Sequence, residues 1–259
     1  MSKLFSTLNM GDLHLAHRVV VLSPQDYAAV SSVGGLIVSE PISTSETIET
    51  WRYTTDTVHD RGGLIVSQLV HPAGAEASFA ATVDGPGIDA VIADYAISAQ
   101  KARLAGFDGI ELDATSGSLP DQFLHSGKNN RPDRYGGSID NCIHFLSEVI
   151  EALTEVWSST RVGVRLSPYG RFDGKFDGDP SELFTAVLSA LSDQEIAYVH
   201  IVRPVPDLDI ARRFRAAFPD AILSSGDYTL ESALVCIESR LPDAIGFHSV
   251  FPNLSLARR

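Results

Sequence analysis

The chain has few cysteines, little positive charge and no long apolar run, and each shortage excludes a class of protein. Its only cysteines, Cys142 and Cys236, lie far apart among 259 residues. Such a pair supports neither a disulfide framework nor a cysteine-based metal site, so we expect a cytoplasmic protein without a bound metal. No apolar stretch approaches the roughly 18 residues that a membrane span needs. The first residues, Met1 to Leu8, do not resemble a signal peptide.

The shortage of positive charge also limits the partners. Lys and Arg number 20 against 33 Asp and Glu, which gives a formal net charge of −13. Nucleic acids and anionic membranes are bound through basic patches, so we expect neither of them as a partner. The hydrophobic content of 44% and the charged content of 20% are those of an ordinary globular protein. The expected partner is therefore a small-molecule substrate.

Eight short apolar segments recur along the chain and predict buried parallel strands. Each segment has four to six residues and is hydrophobic on both faces, which is typical of strands covered on both sides. The predicted strands are Val19–Leu22, Leu36–Ser39, Leu64–Gln68, Gly109–Leu112, Val162–Leu166, Tyr198–Val202, Ala221–Ser224 and Ala244–Phe247.

Helical segments lie between most of these strands. Apolar residues recur at helical spacing in Ile88–Ala105 and in Ile139–Trp157, and a third helix is predicted over Pro180–Leu191. Thr229 is a suitable N-cap for a fourth helix. Strands alternating with helices over about 250 residues predict a (β/α)8 TIM barrel, and we expect one domain over residues 1–259. A doubly wound open sheet is the alternative.

In a barrel of this kind, the carboxyl ends of the strands converge on one mouth, where the active site lies. Asp113 stands there, between an apolar strand and a polar loop. It either caps the turn over residues 114–117 or, in partly apolar surroundings that would raise its pKa, acts as a general acid or base. His71 and His248 have the same two interpretations, packing or proton transfer.

Several segments, in a consistent order along the chain, resemble the Old Yellow Enzyme family of FMN-dependent ene-reductases. They are Leu4–Val20, Gly35–Glu40, Gln68–His71, Asp121–Leu124, Asn129–Ser138 and Val164–Pro168. The resemblance implies a (β/α)8 barrel in which Gln68 and Arg165 hold the pyrimidine edge of a flavin. Their chemistry suits that role, because an amide both donates and accepts while a guanidinium stabilises negative charge on a reduced flavin. Members of this family often form homodimers, and the sequence leaves the oligomeric state open.

The substrate-binding positions depart from this family. Where the resemblance places a His-x-x-Asn or His-x-x-His pair and a proton-donating tyrosine, the chain has Asp113, Ser116 and Ser118. A carboxylate would repel a developing oxyanion unless it is protonated, and a serine is too short to replace a tyrosine. The first barrel helix and the loop over Pro72–Pro86 are also short compared with the family.

The phosphate-binding positions depart as well. The family has Gly-Gly after the seventh strand and Gly-Arg after the eighth. This chain has Ser225-Gly226, followed by Asp227, and then His248-Ser249. The arginine that would pair with a phosphate dianion is therefore absent.

These departures predict a flavin-independent isomerase, epimerase or cyclase without a cofactor, acting next to a carbonyl of a small natural product in secondary metabolism. Such an enzyme would be similar to the epimerases of fungal ilicicolin-type biosynthesis. The expected catalytic residues are Asp113, His71, His248 and Ser118, and the expected substrate-binding residues are Gln68, Arg165, Ser116 and Tyr169. Asp113 or His71 would be the base, and Gln68 and Arg165 would stabilise an enolate oxygen.

Two alternatives remain open at this point. The first is an FMN-dependent ene-reductase, in which Gln68, Arg165, Ser225 and Gly226 bind the cofactor. Its phosphate would be held by backbone N–H groups near the helix that begins at Thr229. The second alternative is a degenerate barrel that binds a ligand without catalysis.

Overall fold

A computed structural model of the chain describes residues 2–41, 47–75, 79–115, 117–125, 129–170, 180–202 and 207–248. Eight strands build its centre. They are β3 (Val19–Leu22), β4 (Leu36–Val38), β5 (Leu64–Leu69), β6 (Gly109–Ala114), β7 (Val162–Leu166), β8 (Tyr198–Val202), β9 (Ala221–Ser225) and β10 (Ala244–Phe247). They pair in parallel and close into a barrel in the order β10-β3-β4-β5-β6-β7-β8-β9. The predicted (β/α)8 barrel is confirmed, and its closure excludes the open sheet.

Helices cover the outside of this barrel. They are α1 (Tyr27–Val30), α2 (Ile48–His59), α3 (Phe79–Thr82), α4 (Gly85–Leu104), α5 (Leu119–Leu124), α6 (Ile139–Val156), α7 (Ser181–Asp193), α8 (Leu208–Ala217) and α9 (Leu230–Glu238). Short 3-10 turns occupy Lys3–Phe5, Pro72–Ala75 and Ser159–Arg161. Within the described ranges, no helix combines the length and apolar character that crossing a bilayer would require.

Helix α6 shows how the sequence attaches a helix to the barrel. Its buried residues include Phe145, Leu146, Val149 and Leu153, which recur at helical spacing and form one apolar face. Each fully buried side chain of this size contributes about 1.5–3 kcal/mol relative to exposure. Just after the helix, Trp157 donates from Nε1 to a backbone carbonyl of α4 at 3.0 Å, which links the two neighbouring helices.

A hairpin closes the barrel at the amino ends of its strands. It consists of β1 (Leu8–Met10) and β2 (Leu13–Leu15), which pair antiparallel. The hairpin side chains share one buried cluster with residues of the barrel wall, including Tyr198. Gly11 at the turn has a φ of +55°, and a Cβ there would lie 2.1 Å from the backbone oxygen of Thr160. The opposite end, where the strands terminate, is left as the mouth.

Candidate active site

Asp113 and Arg165 lie opposite each other at the mouth, on β6 and β7. The distance from Asp113 Oδ1 to Arg165 Nη1 is 3.6 Å. The same carboxylate oxygen accepts hydrogen bonds from Thr115, at 3.1 Å from its backbone N and at 2.7 Å from its Oγ1. Burial raises the pKa of Asp113, against the opposing effects of Arg165 and Thr115. Asp113 therefore stabilises its turn and is also a carboxyl group that takes up a proton more readily than usual.

Arg165 retains an unused donor. Its side chain is 17% exposed, and its Nε is buried without a hydrogen-bond partner in the described part of the chain. A buried guanidinium nitrogen without a partner is costly, so a ligand that accepts from this nitrogen would be stabilised at the mouth. Arg165 is also the register partner of His200 on β8.

A buried polar network lies directly beneath the mouth. Glu111 is fully buried in β6 and accepts from Gln68 Nε2 at 3.1 Å, from the Tyr198 hydroxyl at 3.1 Å and from His200 Nδ1 at 3.0 Å. His200 Nε2 lies 2.7 Å from Ser225 Oγ. The network therefore crosses the barrel interior from β5 to β9.

The surroundings of Glu111 keep it ionised. Burial alone would raise its pKa, but the charge and hydrogen bond of His200, the charge of Arg165 and the hydrogen bond of Gln68 together lower the pKa below the ordinary glutamate value. A buried carboxylate that accepts several hydrogen bonds is stable in its charged form. Glu111 therefore acts as a permanent acceptor at the centre of the barrel.

His71 contacts its own loop and helix α4. Its Nδ1 accepts from the backbone N of Ala73 at 3.1 Å, so its Nε2 carries the hydrogen and lies 3.3 Å from Asp94 Oδ2 on α4. Its ring centroid is 5.6 Å from that of Tyr95. Among the described residues, no hydrogen bond joins His71 to Asp113. The structure therefore gives the histidine local partners on its own loop and on α4.

The other predicted residues that the structure describes follow β6, β7 and β10 in the chain. Ser118 caps α5 and accepts from the backbone N of Asp121 at 3.5 Å, and Ser116 lies outside the described residues. Tyr169 is partly buried against the hydrophobic core. His248 follows β10 and is exposed. Its pKa is lowered by partial burial and by the electrostatic effects of Arg165 and His200.

The two sides of the predicted cofactor site differ. Ser225 is fully buried and bound to His200, whereas Asp227, two residues later, is exposed. The predicted cofactor site therefore has a buried, hydrogen-bonded serine on one side of Gly226 and an exposed acidic residue on the other.

Sequence reasoning missed the central members of the network, namely Glu111, Tyr198 and His200. A signal for them was present. Glu111 is an isolated charge inside one apolar strand. His200 is likewise a polar residue between two apolar ones, Val199 and Ile201, in another strand. Because a buried charge requires a partner, two such residues in barrel strands predict an interior pair.

Comparison with known proteins gives consistent matches. Residues 77–221 match the sequence model of the NADH:flavin oxidoreductase / NADH oxidase family. Flavin oxidoreductase hxnT of Emericella nidulans is 31% identical over 99% of this chain and 89% of its own. A probable flavin mononucleotide-dependent alkene reductase of Leishmania infantum is 32% identical over 78% of this chain and 66% of its own. An old yellow enzyme homologue from Zymomonas mobilis superposes with a TM-score of 0.83 at 27% identity, covering 94% of this chain and 88% of that structure.

These matches correct the expectation that no cofactor is needed. That expectation is wrong, because the matching family is one of flavin oxidoreductases and a relative is named as dependent on FMN. The prediction had given the absence of an arginine at the expected phosphate position more weight than the presence of Gln68 and Arg165 at the expected flavin-ring positions. The comparisons likewise favour an oxidoreductase over an isomerase or epimerase.

Proposed function

Because the chain belongs to the Old Yellow Enzyme family of NADH:flavin oxidoreductases, we propose that it is an FMN-dependent ene-reductase. It would oxidise a reduced nicotinamide nucleotide and reduce an activated carbon–carbon double bond in a small molecule. FMN, when bound, supplies the hydride chemistry, and the residues at the mouth bind and orient the cofactor and the substrate. The Nε of Arg165, which is buried without a partner among the described residues, is the observation that carries the proposal.

The residues at the ring side fit a flavin. Gln68 uses one N–H on Glu111, which leaves its second N–H and its amide oxygen for a ligand. Arg165 contributes a positive charge and its unused Nε. The pyrimidine edge of a flavin carries donors and acceptors side by side, and it becomes more negative on reduction. Gln68 and Arg165 together therefore supply the matching donor, acceptor and charge.

The residues at the proposed phosphate position would bind the cofactor more weakly than those at the proposed ring position. Asp227 places a negative charge next to Gly226, and the lowered pKa of His248 favours its neutral form at neutral pH. The backbone N of Thr229 already donates to Ser232 Oγ at 2.9 Å in the capping box of α9. We therefore propose that backbone N–H groups near Gly226 and Tyr228 bind the phosphate, together with His248.

Asp113 would orient the substrate. A carboxyl group in its protonated form donates one hydrogen bond, which is what the oxygen of an activated alkene requires. Because burial raises the pKa of Asp113, the protonated form persists to a higher pH than for an exposed aspartate. Substrate reduction should therefore be favoured on the acidic side of neutrality.

The proposal is tested by loading the purified protein with FMN. We expect saturable quenching of flavin fluorescence, bleaching of the visible flavin absorbance by NADH or NADPH in the absence of oxygen, and reoxidation by 2-cyclohexen-1-one. Gln68→Ala and Arg165→Ala should each weaken FMN binding by about tenfold or more. Gln100→Ala, at an exposed position of α4, is the matched control and should bind normally. A wild-type protein that FMN cannot saturate would rule the proposal out.

A further inference from the structure

We propose that Glu111 is a positioning residue that sets the orientation of the Gln68 side-chain amide, and with it the donor–acceptor pattern that the barrel presents to a flavin ring. The inference rests on the proposed function, because it concerns the same cofactor site. Glu111 lies inside the barrel wall and acts through Gln68, which is 3.1 Å away.

The chemistry of the two groups fixes the orientation. An ionised carboxylate has acceptors only, so a neighbouring amide must turn its NH2 group toward it. A reversed Gln68 would bring its oxygen against Glu111 Oε1 in a buried environment, where repulsion between two acceptors is weakly screened. Gln68 is itself buried, with 7% exposure, so bulk water offers little compensation. The amide oxygen and the second N–H of Gln68 are therefore available to a ligand in one arrangement.

The other partners of Glu111 hold the carboxylate in its place. Tyr198 and His200 both donate to Oε2, while Gln68 is the one donor to Oε1 among the described residues. His200 is in turn held by Ser225 at 2.7 Å. One carboxylate oxygen is thus anchored by two donors from β8, and the other oxygen is reserved for Gln68. A buried carboxylate held by three hydrogen bonds in this way has a fixed position.

Because the two carboxylate oxygens of Glu111 have different donors, the effect of Glu111→Gln can be predicted. The new amide would turn its oxygen toward the two donors, Tyr198 and His200, and its NH2 group toward Gln68. Gln68 would then have to reverse, which exchanges the donor and the acceptor that it offers to a ligand. We expect the Kd for FMN to rise about tenfold or more. The loss should be equal for riboflavin, which has the same ring and no phosphate.

Tyr198→Phe is the matched control. It removes one hydrogen bond to the same carboxylate and keeps the aromatic ring, but it leaves Oε1 facing Gln68. A purely structural role of the network predicts that both variants weaken FMN binding alike. A positioning role predicts a change of about threefold or less in Tyr198→Phe and the full loss in Glu111→Gln.

A double-mutant cycle tests whether Glu111 acts through Gln68. In a Gln68→Ala background, Glu111→Gln should cause no further loss of FMN binding. An equal loss in both backgrounds would overturn the proposal. So would wild-type affinity in folded Glu111→Gln, or a loss that appears for FMN but not for riboflavin, which would place the effect at the phosphate.

A measurement on the unmodified protein covers the case in which Glu111→Gln does not fold. In NMR spectra of the flavin-free wild type, the side-chain NH2 protons of Gln68 should exchange with solvent far more slowly than those of the exposed Gln100. Equal exchange rates would refute the fixed orientation. A protein with a protected Gln68 amide but no affinity for FMN would instead contradict the proposed function and leave the orientation standing.

Discussion

Glu111 and Asp113 stand two residues apart on β6 and project to the same side, yet their pKa values are displaced in opposite directions. Side chains at i and i+2 of a strand share a face, so one carboxyl lies in the barrel interior and the other at its mouth. Hydrogen bonds and the charge of His200 hold the interior carboxyl ionised. Burial outweighs the nearby Arg165 and Thr115 at the mouth and favours the protonated form. One strand therefore carries a structural anion and a carboxyl group suited to taking up and donating a proton.

The raised pKa of Asp113 makes a prediction about stability. The native state binds a proton at this site more tightly than the unfolded chain does, so the ionised carboxylate costs stability at neutral pH. That cost should fade as the pH falls through the native pKa and vanish below the ordinary value of 3.8. Asp113→Asn, which keeps an oxygen for Thr115, should therefore raise the Tm at pH 7 and lose this advantage in acid. Thermal unfolding across that range measures the effect, with exposed Asp209→Asn as the control.

Ionisation of Glu111 should have the opposite effect on stability. Its native pKa lies below the ordinary value of 4.5, so its ionised form contributes stability above that pH and the contribution is lost as the pH falls through the lowered native pKa. Glu111→Gln should cost about 3–5 kcal/mol at pH 7, the range for breaking a buried ionic interaction. Urea denaturation should show that the difference in the free energy of unfolding between variant and wild type becomes smaller in acid. A difference that grows in acid would contradict an ionised Glu111.

The barrel itself could be predicted because its strands have a strong local signal. All eight predicted strands are present with boundaries shifted by at most two residues, and Thr229 caps α9 as expected. Helix α8 gave no such signal, because Phe214 is its only buried residue in a segment rich in arginine. The hairpin of β1 and β2 was missed for a related reason. Strands of three residues are too short for a periodic pattern to show.

The candidate site could be predicted only in part. The ends of strands identify Gln68, Asp113 and Arg165 as mouth residues, and the structure pairs the last two directly. Contacts between distant segments cannot be read from spacing. Glu111 and His200 are 89 positions apart, and their hydrogen bond depends on the closure of the barrel. The cofactor prediction failed because the missing phosphate arginine is visible in the sequence, whereas the interior network that supports Gln68 is not.

Asp113 should determine how activity depends on pH. If its protonated form orients the substrate, wild-type reduction of 2-cyclohexen-1-one should fall as the pH rises above the pKa of the carboxyl group. Asp113→Asn donates at every pH, so its kcat/KM should be nearly flat and about tenfold higher than wild type at alkaline pH. Asp113→Ala lacks a donor and should be poor throughout. An asparagine variant with the wild-type pH slope would assign the proton to another group.

The turn after β9 should weaken phosphate binding through Asp227. An exposed like charge near a phosphate is repulsive by an amount that water and salt largely screen. Asp227→Asn should lower the Kd for FMN by about two- to fivefold at low salt and leave the Kd for riboflavin unchanged. The difference should shrink as salt is added. An equal change for both ligands would show that the substitution alters the ring site, and would place the phosphate elsewhere.

The packing between Gly163 and Tyr198 connects the barrel wall to the network. Gly163 lies in β7, and a Cβ at that position would come within 2.3 Å of Cζ in the Tyr198 ring. Gly163→Ala must therefore displace the ring whose hydroxyl donates to Glu111.

We expect Gly163→Ala to lower the free energy of unfolding by about 1–3 kcal/mol, as for other overpacked cores. Gly85→Ala is the control, because its new methyl group would meet no atom within 4 Å among the described residues, apart from its chain neighbours and the backbone of its own helix, and it should leave stability nearly unchanged. Truncation in Tyr198→Ala removes the obstructing ring, so adding Gly163→Ala to that variant should cost much less than it does in wild type. Equal costs in the two backgrounds would show that Gly163 is required for another reason, such as its own backbone conformation.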